Sequence, residues 1–568
     1  MNSLTAAIAQ TCQVHLTSEK WLLAPSRRVG HQWLEIVARS GQAVLNVRVK
    51  TLRALALEVA GPMLAHRGLA LATARPCALL IHRVLCDLRF RLQYLSSLEP
   101  DAALAETVLA SIDALRLAGF DATQLNQDYF EVSDKGRDLR VIISAYLKRL
   151  EREKMVDYAY VLVMAAQRLR KDPRCVGNQT FVLVPDDLHF AGLETTLLAE
   201  IPSECRIALP VDTPAIPTGQ AHADLQLFSE PSKSASVHEA RSAKIRIVHA
   251  VGEVNEVRYV LRDCVARGIP LDEVELLHTD AQTYVPLIYE TLAALEGDGD
   301  ENLGSDALAT RQSTLDASGS RPNELGLPVT FNEGIPCDHA RPGRALFNWL
   351  QWVHDDFSQT RLIRMLEEGL LALPDRSDSR TSFTRLAQML RGVVIRFGRD
   401  RYLPKLDERI AALDQRSGQV AVEDEASPAA RLQQEVEELK LLRGLVKRLL
   451  TVSPGENAPS QQVLAQAQQF VENAVRAVNP LDRFAAQRLV AELADMAHWI
   501  ERGEVDMDVW QWIESLPQKT RVLGSGPRPG CLHVDSVDTG GHSGRQHTFV
   551  VGLEDSRFPG TGGQDPLL

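Results

Sequence analysis

Residues 540–545, Gly-Gly-His-Ser-Gly-Arg, bring together groups that can hold a phosphate. The glycines expose backbone N–H groups, and His542, Ser543 and Arg545 add polar side chains to them. Backbone N–H groups, a hydroxyl and a guanidinium are common ligands of phosphate oxygens. The same glycine-rich composition is also typical of a solvated turn that binds nothing. Both interpretations are open for this segment.

A second candidate for anion binding lies near the start of the chain. Ser26 directly precedes a predicted helix and is followed by Arg27 and Arg28. The free N–H groups and the dipole of a helix N-terminus favour an anion. The alternative is an ordinary N-cap, in which Ser26 satisfies the backbone and both arginines are solvated.

Acidic residues and cysteines suggest metal sites that the spacing does not support well. Asp186, Asp187 and His189 could form a small metal cluster, and the alternative is a degenerate site that has lost its ligand. Residues 298–309 begin like a calcium loop but lack its glycine and its final glutamate, which excludes that site.

The 8 cysteines include no CxxC pair. They therefore indicate neither a zinc ribbon nor a disulfide framework, and they disfavour an iron–sulfur cluster.

The composition is that of a globular protein with a large core. The chain has 568 residues, of which 45% are hydrophobic and 24% charged, and its length suggests roughly three to four domains. It has no apolar run near the roughly 20 residues that span a bilayer, and its start does not resemble a secretory signal. We therefore expect a cytoplasmic protein. The net charge of -12 argues against a basic nucleic-acid-binding domain, although a large protein can line one channel with cations.

Hydrophobic periodicity predicts two α/β units with long helical segments. Strand-then-helix patterns occur at 21–37 and 43–59, and buried-strand patterns occur at 181–184, 245–248 and 274–277. Further strands are predicted at 533–537 and 549–552, on either side of the glycine-rich segment. Repeated strand–helix units indicate parallel sheets covered by helices. Residues 431–450 predict a helix whose apolar stripe is either core or a partner-facing seam.

Several segments, in the right order, resemble superfamily 1 helicases of the UvrD type. Residues 550–560, VVGLEDSRFPG, resemble the segment after helicase motif V, and residues 23–28 resemble motif Ia. Residues 181–194 occupy the place of motif II, and residues 327–344 resemble a stretch of AddB-type proteins. The order of the motifs is kept while their working residues are replaced. This combination is similar to the AddB family, the inactivated-helicase subunits of AddAB helicase–nucleases.

The resemblance implies that the nucleotide site is lost. In motif II, Pro185 replaces the Asp that binds Mg²⁺, and Asp186 and Asp187 follow it as the remains of a degenerate ATPase motif. Residues 1–24 contain no glycine, so the phosphate-binding loop that precedes motif Ia in helicases is missing. After the strand at 274–277, His278, Thr279 and Asp280 stand where active relatives contact the nucleotide. We therefore expect no catalytic residue, no metal and no cofactor in this chain.

The same resemblance implies an α/β fold of two RecA-like, P-loop NTPase-like parallel-sheet domains with helical inserts. The first RecA-like domain would comprise residues 1–72 and 171–212, with a helical insert at 73–170. A linker would follow at 213–243. The second domain would comprise 244–340 and 521–568, with an insert at 341–520. The chain ends before the nuclease domain and motif VI of the family, which suggests a fragment.

The implied function is non-catalytic DNA binding within a complex that processes double-strand breaks. Ser26, Arg27, Arg28, His542, Ser543 and Arg545 would contact single-stranded or broken-end DNA. An AddA-type helicase–nuclease subunit would be the partner and would carry ATP and Mg²⁺, and an iron–sulfur cluster would belong to the absent nuclease domain. The alternatives are an active superfamily 1 ATP-dependent helicase with an unrecognised nucleotide site, or a protein scaffold that binds no DNA.

Overall fold

Two four-stranded parallel sheets, each packed with helices, organise the chain. The structure is a computed structural model, and it describes residues 2–126, 130–176, 180–211, 244–297, 326–373, 382–417, 428–455, 457–501, 508–554 and 557–558. The expected linker at 213–243, the excluded calcium loop at 298–309 and the chain end at 559–568 lie outside these ranges. Among the described helices, none is both long and apolar enough to cross a membrane.

The first part of the chain alternates strands and helices, with a run of helices in its middle. In order, its elements are α1 (Ser3–Val14), β1 (Glu19–Leu23), α2 (Arg27–Arg39), β2 (Val47–Lys50), α3 (Leu52–Arg67), β3 (Ala70–Leu71), α4 (Ala74–Leu88), α5 (Ala102–Leu117), α6 (Ser133–Arg152), β4 (Met155–Val156), α7 (Tyr158–Lys171), β5 (Thr180–Pro185), α8 (Gly192–Ala199) and β6 (Arg206–Leu209).

The first sheet has the strand order β2-β1-β5-β6, and every pair in it is parallel. Successive side chains of β1 point to opposite faces. Leu22 packs in a cluster with α1 and α2, whereas Trp21 and Leu23 pack in a second cluster with α3, α7 and α8. The sheet is therefore covered on both faces, as parallel sheets require.

Helix α2 lies unusually close to the first sheet because residue 30 is glycine. A Cβ at Gly30 would overlap a Val49 methyl group and lie 2.9 Å from the Ala24 Cβ. Ser26 is the N-cap of the helix, as the sequence predicts, and its Oγ accepts a hydrogen bond from Val29 N. This close packing fixes the N-terminus of α2 at the carboxyl end of β1.

The second part of the chain carries the second sheet and most of the helices. Its elements are α9 (Glu253–Arg267), β7 (Val274–His278), α10 (Ala281–Gly297), β8 (Val329–Phe331), β9 (Ile335–Pro336), α11 (Arg341–His354), α12 (Gln359–Glu367), α13 (Phe383–Arg391), α14 (Tyr402–Ser417), α15 (Pro428–Thr451), α16 (Ser460–Asn473), α17 (Pro480–Glu501), α18 (Trp510–Lys519), β10 (Arg521–Val522), β11 (Leu532–Ser536) and β12 (His547–Val551).

The second sheet has the strand order β12-β7-β11-β8, again with parallel pairs throughout. The two strands predicted around the glycine-rich segment are both present, and β7 lies between them. The prediction of a strand at 245–248 is wrong. This stretch pairs with no strand in the described structure, and Ile247 is 90% exposed. Arg246 in this stretch pairs with Asp263 on α9.

The two helical segments pack against each other. Trp512 Nε1 on α18 donates a 3.0 Å hydrogen bond to His82 Nδ1 on α4, and Arg83 donates to the Ile500 carbonyl at the end of α17. One continuous apolar cluster runs through α4–α6, the second sheet and the helices of 341–519. Helix α7 lies inside the expected first insert, yet it packs in the core of the first sheet.

Helix α15 resolves the alternatives for the apolar stripe at 431–450. Val436, Leu439, Leu442 and Leu449 are buried in the large cluster, and Leu432 packs against it. The stripe is core, and α14 is among the helices that share that core.

Candidate nucleic-acid interface

The two sheets meet through α2 of the first and residues 537–546 of the second. The Trp33 Nε1 on α2 donates a 3.3 Å hydrogen bond to the His542 Nδ1. The two rings meet edge to face, with centroids 5.6 Å apart and an interplanar angle of 84°. The sequence-predicted residues at the two ends of the chain are therefore brought to one interface.

A glycine allows this close approach. Gly544 has a φ of +69° and faces Ile36 of α2, so that an added Cβ would lie 2.7 Å from the Ile36 Cγ1. A side chain at this position would strain the backbone and push the segment away from α2. The glycine-rich composition of 540–545 thus has a packing role at this interface.

The basic residues at the start of α2 lie at the edge of this interface. Arg27 and Arg28 are both exposed. Within the described ranges no hydrogen bond or ion pair engages the Arg27 guanidinium. The Arg28 Nη1 reaches the Asn332 Oδ1 at 3.5 Å, at the end of β8. Ser26 uses its oxygen as an acceptor in the helix cap, which leaves its hydroxyl proton available to a ligand.

Ser543 points into the protein instead of toward solvent. It is 9% exposed and lies beside Glu275, the second residue of β7, which is 2% exposed. Burial raises the pKa of Glu275, and the Gly541 N–H, which donates to its carboxylate at 3.2 Å, acts against that rise. In the described structure the Ser543 Oγ is buried without a hydrogen-bond partner, so Ser543 is closed off from solvent in this conformation.

Arg545 is fully engaged by backbone carbonyl groups. Its Nη1 donates to three carbonyl oxygens and its Nη2 to a fourth. The acceptors are Leu271 O at 3.0 Å, Val274 O at 2.6 Å, Cys531 O at 2.7 Å and Arg528 O at 3.2 Å. This guanidinium ties the segments that lead into β7 and β11 together.

The degenerate motif lies at the carboxyl end of β5 and faces the same interface. Pro185 ends the strand, Asp186 is exposed, and Asp187 is half-buried. Burial lowers the pKa of His542, while the nearby carboxylates of Asp187 and Asp535 oppose this effect. His542 is consequently neutral near pH 7 and can accept the Trp33 hydrogen bond at Nδ1.

A buried polar cluster at the end of the second sheet was missed by the sequence reasoning. The Asp535 Oδ1 accepts from Asn332 Nδ2 at 3.0 Å, Ser536 N at 2.8 Å and Thr539 Oγ1 at 2.7 Å. Burial lowers the pKa of His278 to about 4 and that of His533 to about 3. The signal available in the sequence was the position of polar residues directly at strand ends.

The interface offers cations, N–H groups and hydroxyls to an anion. Within the described part of the chain, no group of three or more His, Cys, Asp or Glu side chains could hold a metal ion. No protein-family model matches this chain, and no curated protein matches it. The chemistry of the interface therefore has to be inferred from its own residues.

Proposed function

We propose that this chain is a non-catalytic, helicase-like subunit that holds or scans single-stranded DNA in a complex that processes double-strand breaks. The two parallel sheets would be a pair of RecA-like domains that no longer use ATP. The observation that carries the proposal is the pair of exposed arginines, Arg27 and Arg28, which follow the half-buried Ser26 beside the contact between the two sheets.

Phosphate binding at this group has a direct physical basis. The first N–H groups of α2 have no partner inside the helix, and the helix dipole adds partial positive charge there. Two exposed guanidinium groups supply charge and forked donors that match phosphate oxygens. A local group of cations can bind phosphate in a protein whose overall charge is -12, because nearby charges dominate the field at short range.

The loss of ATP use is supported by the residues at the strand ends. Pro185 at the end of β5 has no carboxylate for Mg²⁺, and β7 ends in the buried His278. In the proposed complex an AddA-type subunit supplies ATP hydrolysis and Mg²⁺.

The proposed set of DNA-contacting residues is smaller than the set expected from the sequence. Arg27 and Arg28, with Ser26, are the proposed phosphate contacts. His542 accepts a hydrogen bond across the interface, Ser543 is buried beside Glu275, and Arg545 supports the second sheet through carbonyl groups. Their proposed effect on DNA is therefore indirect, through the position of the 537–546 segment.

The proposal is tested by fluorescence anisotropy with labelled oligothymidylate. The variants are Arg27→Ala, the double variant Arg27→Ala/Arg28→Ala, and a control double variant, Arg258→Ala/Arg262→Ala, which removes two exposed charges from α9. Each protein is titrated between about 50 and 200 mM salt, with and without ATP and Mg²⁺. Each phosphate contact with a single strand contributes a log–log salt slope of about -0.7. We expect the double variant to bind more weakly with a slope shallower by about 1.4.

Three outcomes would contradict the proposal. Absence of binding at every salt concentration would favour a protein scaffold. Equal loss in the α2 and α9 double variants would show that general charge, and not the arginines at the start of α2, governs binding. Affinity that depends on ATP and Mg²⁺ would favour an active superfamily 1 ATPase.

A further inference from the structure

A loop in the first helical segment exposes an aromatic ring between two arginines. Residues 89–94, Arg-Phe-Arg-Leu-Gln-Tyr, follow α4, and Phe90 is 96% exposed. Arg89, Arg91 and Tyr94 are also exposed. Leu92 points inward and is buried in the large cluster. The loop thus has an anchored side and an outward side that carries aromatic and cationic groups.

The loop is held in place by a buried carboxylate. Asp138 on α6 is 2% exposed. Its Oδ1 accepts a hydrogen bond from Gln93 N at 3.0 Å, and its Oδ2 accepts from Tyr94 N at 2.9 Å and Leu95 N at 3.0 Å. Three hydrogen bonds from backbone N–H groups to one carboxylate fix the path of the backbone. The exposed ring of Phe90 therefore projects from an ordered loop, which lowers the entropic cost of binding a ligand there.

The charge around the ring is positive and accessible. Within the described structure no ion pair or hydrogen bond engages the Arg91 side chain. Arg89 pairs with Glu99 at 3.3 Å, but that carboxylate is 86% exposed, and a solvent-exposed ion pair is weak enough to exchange for a phosphate. Lys135 of α6 lies 5.9 Å from the centroid of the Tyr94 ring. Two aromatic rings and three cations thus share one small surface.

We propose that residues 89–94, together with Lys135, form a second binding site for single-stranded nucleic acid. A base stacks on the exposed face of Phe90, a neighbouring base contacts Tyr94, and Arg89, Arg91 and Lys135 contact the phosphates. Rings interleaved with cations suit an unpaired strand, because its bases are free to stack and its backbone carries regular negative charge. This site lies in the first helical segment and uses no residue of α2 or of the 537–546 segment.

The test compares two ligands that differ in their bases only. Wild type, Phe90→Ala, Phe90→Trp and Arg91→Ala are titrated with oligothymidylate and with an abasic oligomer of the same length. Stacking on one aromatic side chain is worth roughly a 5- to 100-fold change in affinity. We expect Phe90→Ala to lose affinity in this range for oligothymidylate and to leave abasic binding unchanged. Phe90→Trp should bind oligothymidylate at least as well as wild type, whereas Arg91→Ala should weaken both ligands.

Phe120→Ala is the matched control, because Phe120 is a partly exposed ring in the same segment with Asp121 beside it. It should bind both ligands as wild type does. Since Phe90 is almost fully exposed, none of its variants should change the thermal unfolding temperature by more than about a degree.

The site is overturned if Phe90→Ala binds oligothymidylate as tightly as wild type. It is also overturned if Phe90→Ala instead loses binding to vesicles that contain phosphatidylserine, because the loop would then be a membrane contact. The α2 double variant separates this site from the proposed function. If only Arg27→Ala/Arg28→Ala loses affinity for oligothymidylate, the site at the start of α2 is supported and the loop site is rejected. If only Phe90→Ala loses affinity, the loop site is supported and the site at the start of α2 is rejected.

Discussion

The Trp33 indole N–H donates a hydrogen bond to Nδ1 of His542, 3.3 Å away, and so joins a helix of the first sheet to the glycine-rich segment of the second. Trp33 is 2% exposed, so its N–H has no access to bulk water. The donor therefore depends on the neutral imidazole, and loss of that acceptor would leave a buried polar group unpaired.

Replacement of His542 by leucine should destabilise the protein. The Trp33 N–H would lose its acceptor, which costs about 1–3 kcal/mol for a buried donor. His542→Gln retains an acceptor and should lose less. The comparison is made on the free energy of unfolding in urea. Equal losses for the two variants would mean that ring packing, and not the hydrogen bond, accounts for the contact.

Mild acid should destabilise the fold through buried histidines. The folded pKa of His278 is lowered to about 4, so the folded state favours the neutral ring. The stability that the neutral His278 ring contributes is fully present above the unfolded pKa near 6.5, and it is lost as the pH falls toward 4. The loss attributable to this one ring is about 2 kcal/mol at pH 5. His542 and His533 act in the same direction.

Urea unfolding of wild type between pH 7.5 and pH 5 measures this dependence. His278→Leu removes one titrating ring and should show a shallower fall in stability than wild type. His31→Gln, on the exposed face of α2, is the control and should follow the wild type. A His278→Leu curve parallel to the wild-type curve would contradict the assignment.

Gly540→Ala should disturb the interface. A Cβ at this position would overlap the Leu277 Cδ2 and lie 2.8 Å from the Ser536 carbonyl oxygen. Relief of such overlap typically costs about 1–3 kcal/mol. Gly526→Ala is the control, because a Cβ there meets no atom within 4 Å. Thermal unfolding should rank Gly540→Ala clearly below Gly526→Ala, and equal melting temperatures would show that the loop shifts freely.

Arg545→Lys should lower the stability of the fold, and it should weaken DNA binding only as a consequence of that loss. A lysine ammonium cannot reproduce the forked donors that reach carbonyl groups in two segments. Hydrogen bonds from charged groups contribute about 1.5–3 kcal/mol each, so we expect a loss of at least about 2 kcal/mol. The measurement is urea unfolding, followed by anisotropy with oligothymidylate below the unfolding transition. Unchanged stability with weakened DNA binding would instead assign Arg545 to direct phosphate contact.

Local sequence patterns predicted the strands that are buried on both faces. The run at 181–184 is continuous and apolar, the run at 274–277 is apolar except for Glu275, and both form central strands. Ser26 was predicted as an N-cap from its place before a periodic run, and it is one. The prediction of a strand at 245–248 failed because a local pattern describes one segment only. A strand also needs a neighbouring strand to pair with, which the local pattern does not supply.

The contacts across the interface could not be predicted in the same way. Trp33 and His542 are far apart in the chain, and no local pattern joins them. Arg545 has the side chain of a phosphate ligand, but its carbonyl partners come from two separate segments, those that lead into β7 and β11. Residue type indicates which bonds a side chain can make, and only the tertiary fold determines which partners it meets.

The boundary between the two apolar cores has a mechanical consequence. It crosses the chain beside the short pairing of β3 with β4: Ala72 and Met155 belong to the large core, while Val156 belongs to that of the first sheet. Two crossings of the chain are thus bound side by side by Ala70–Met155 and Leu71–Val156 pairing. This two-stranded ribbon and the Trp33–His542 contact therefore tie the first sheet to the rest of the molecule at two places that are far apart in the sequence.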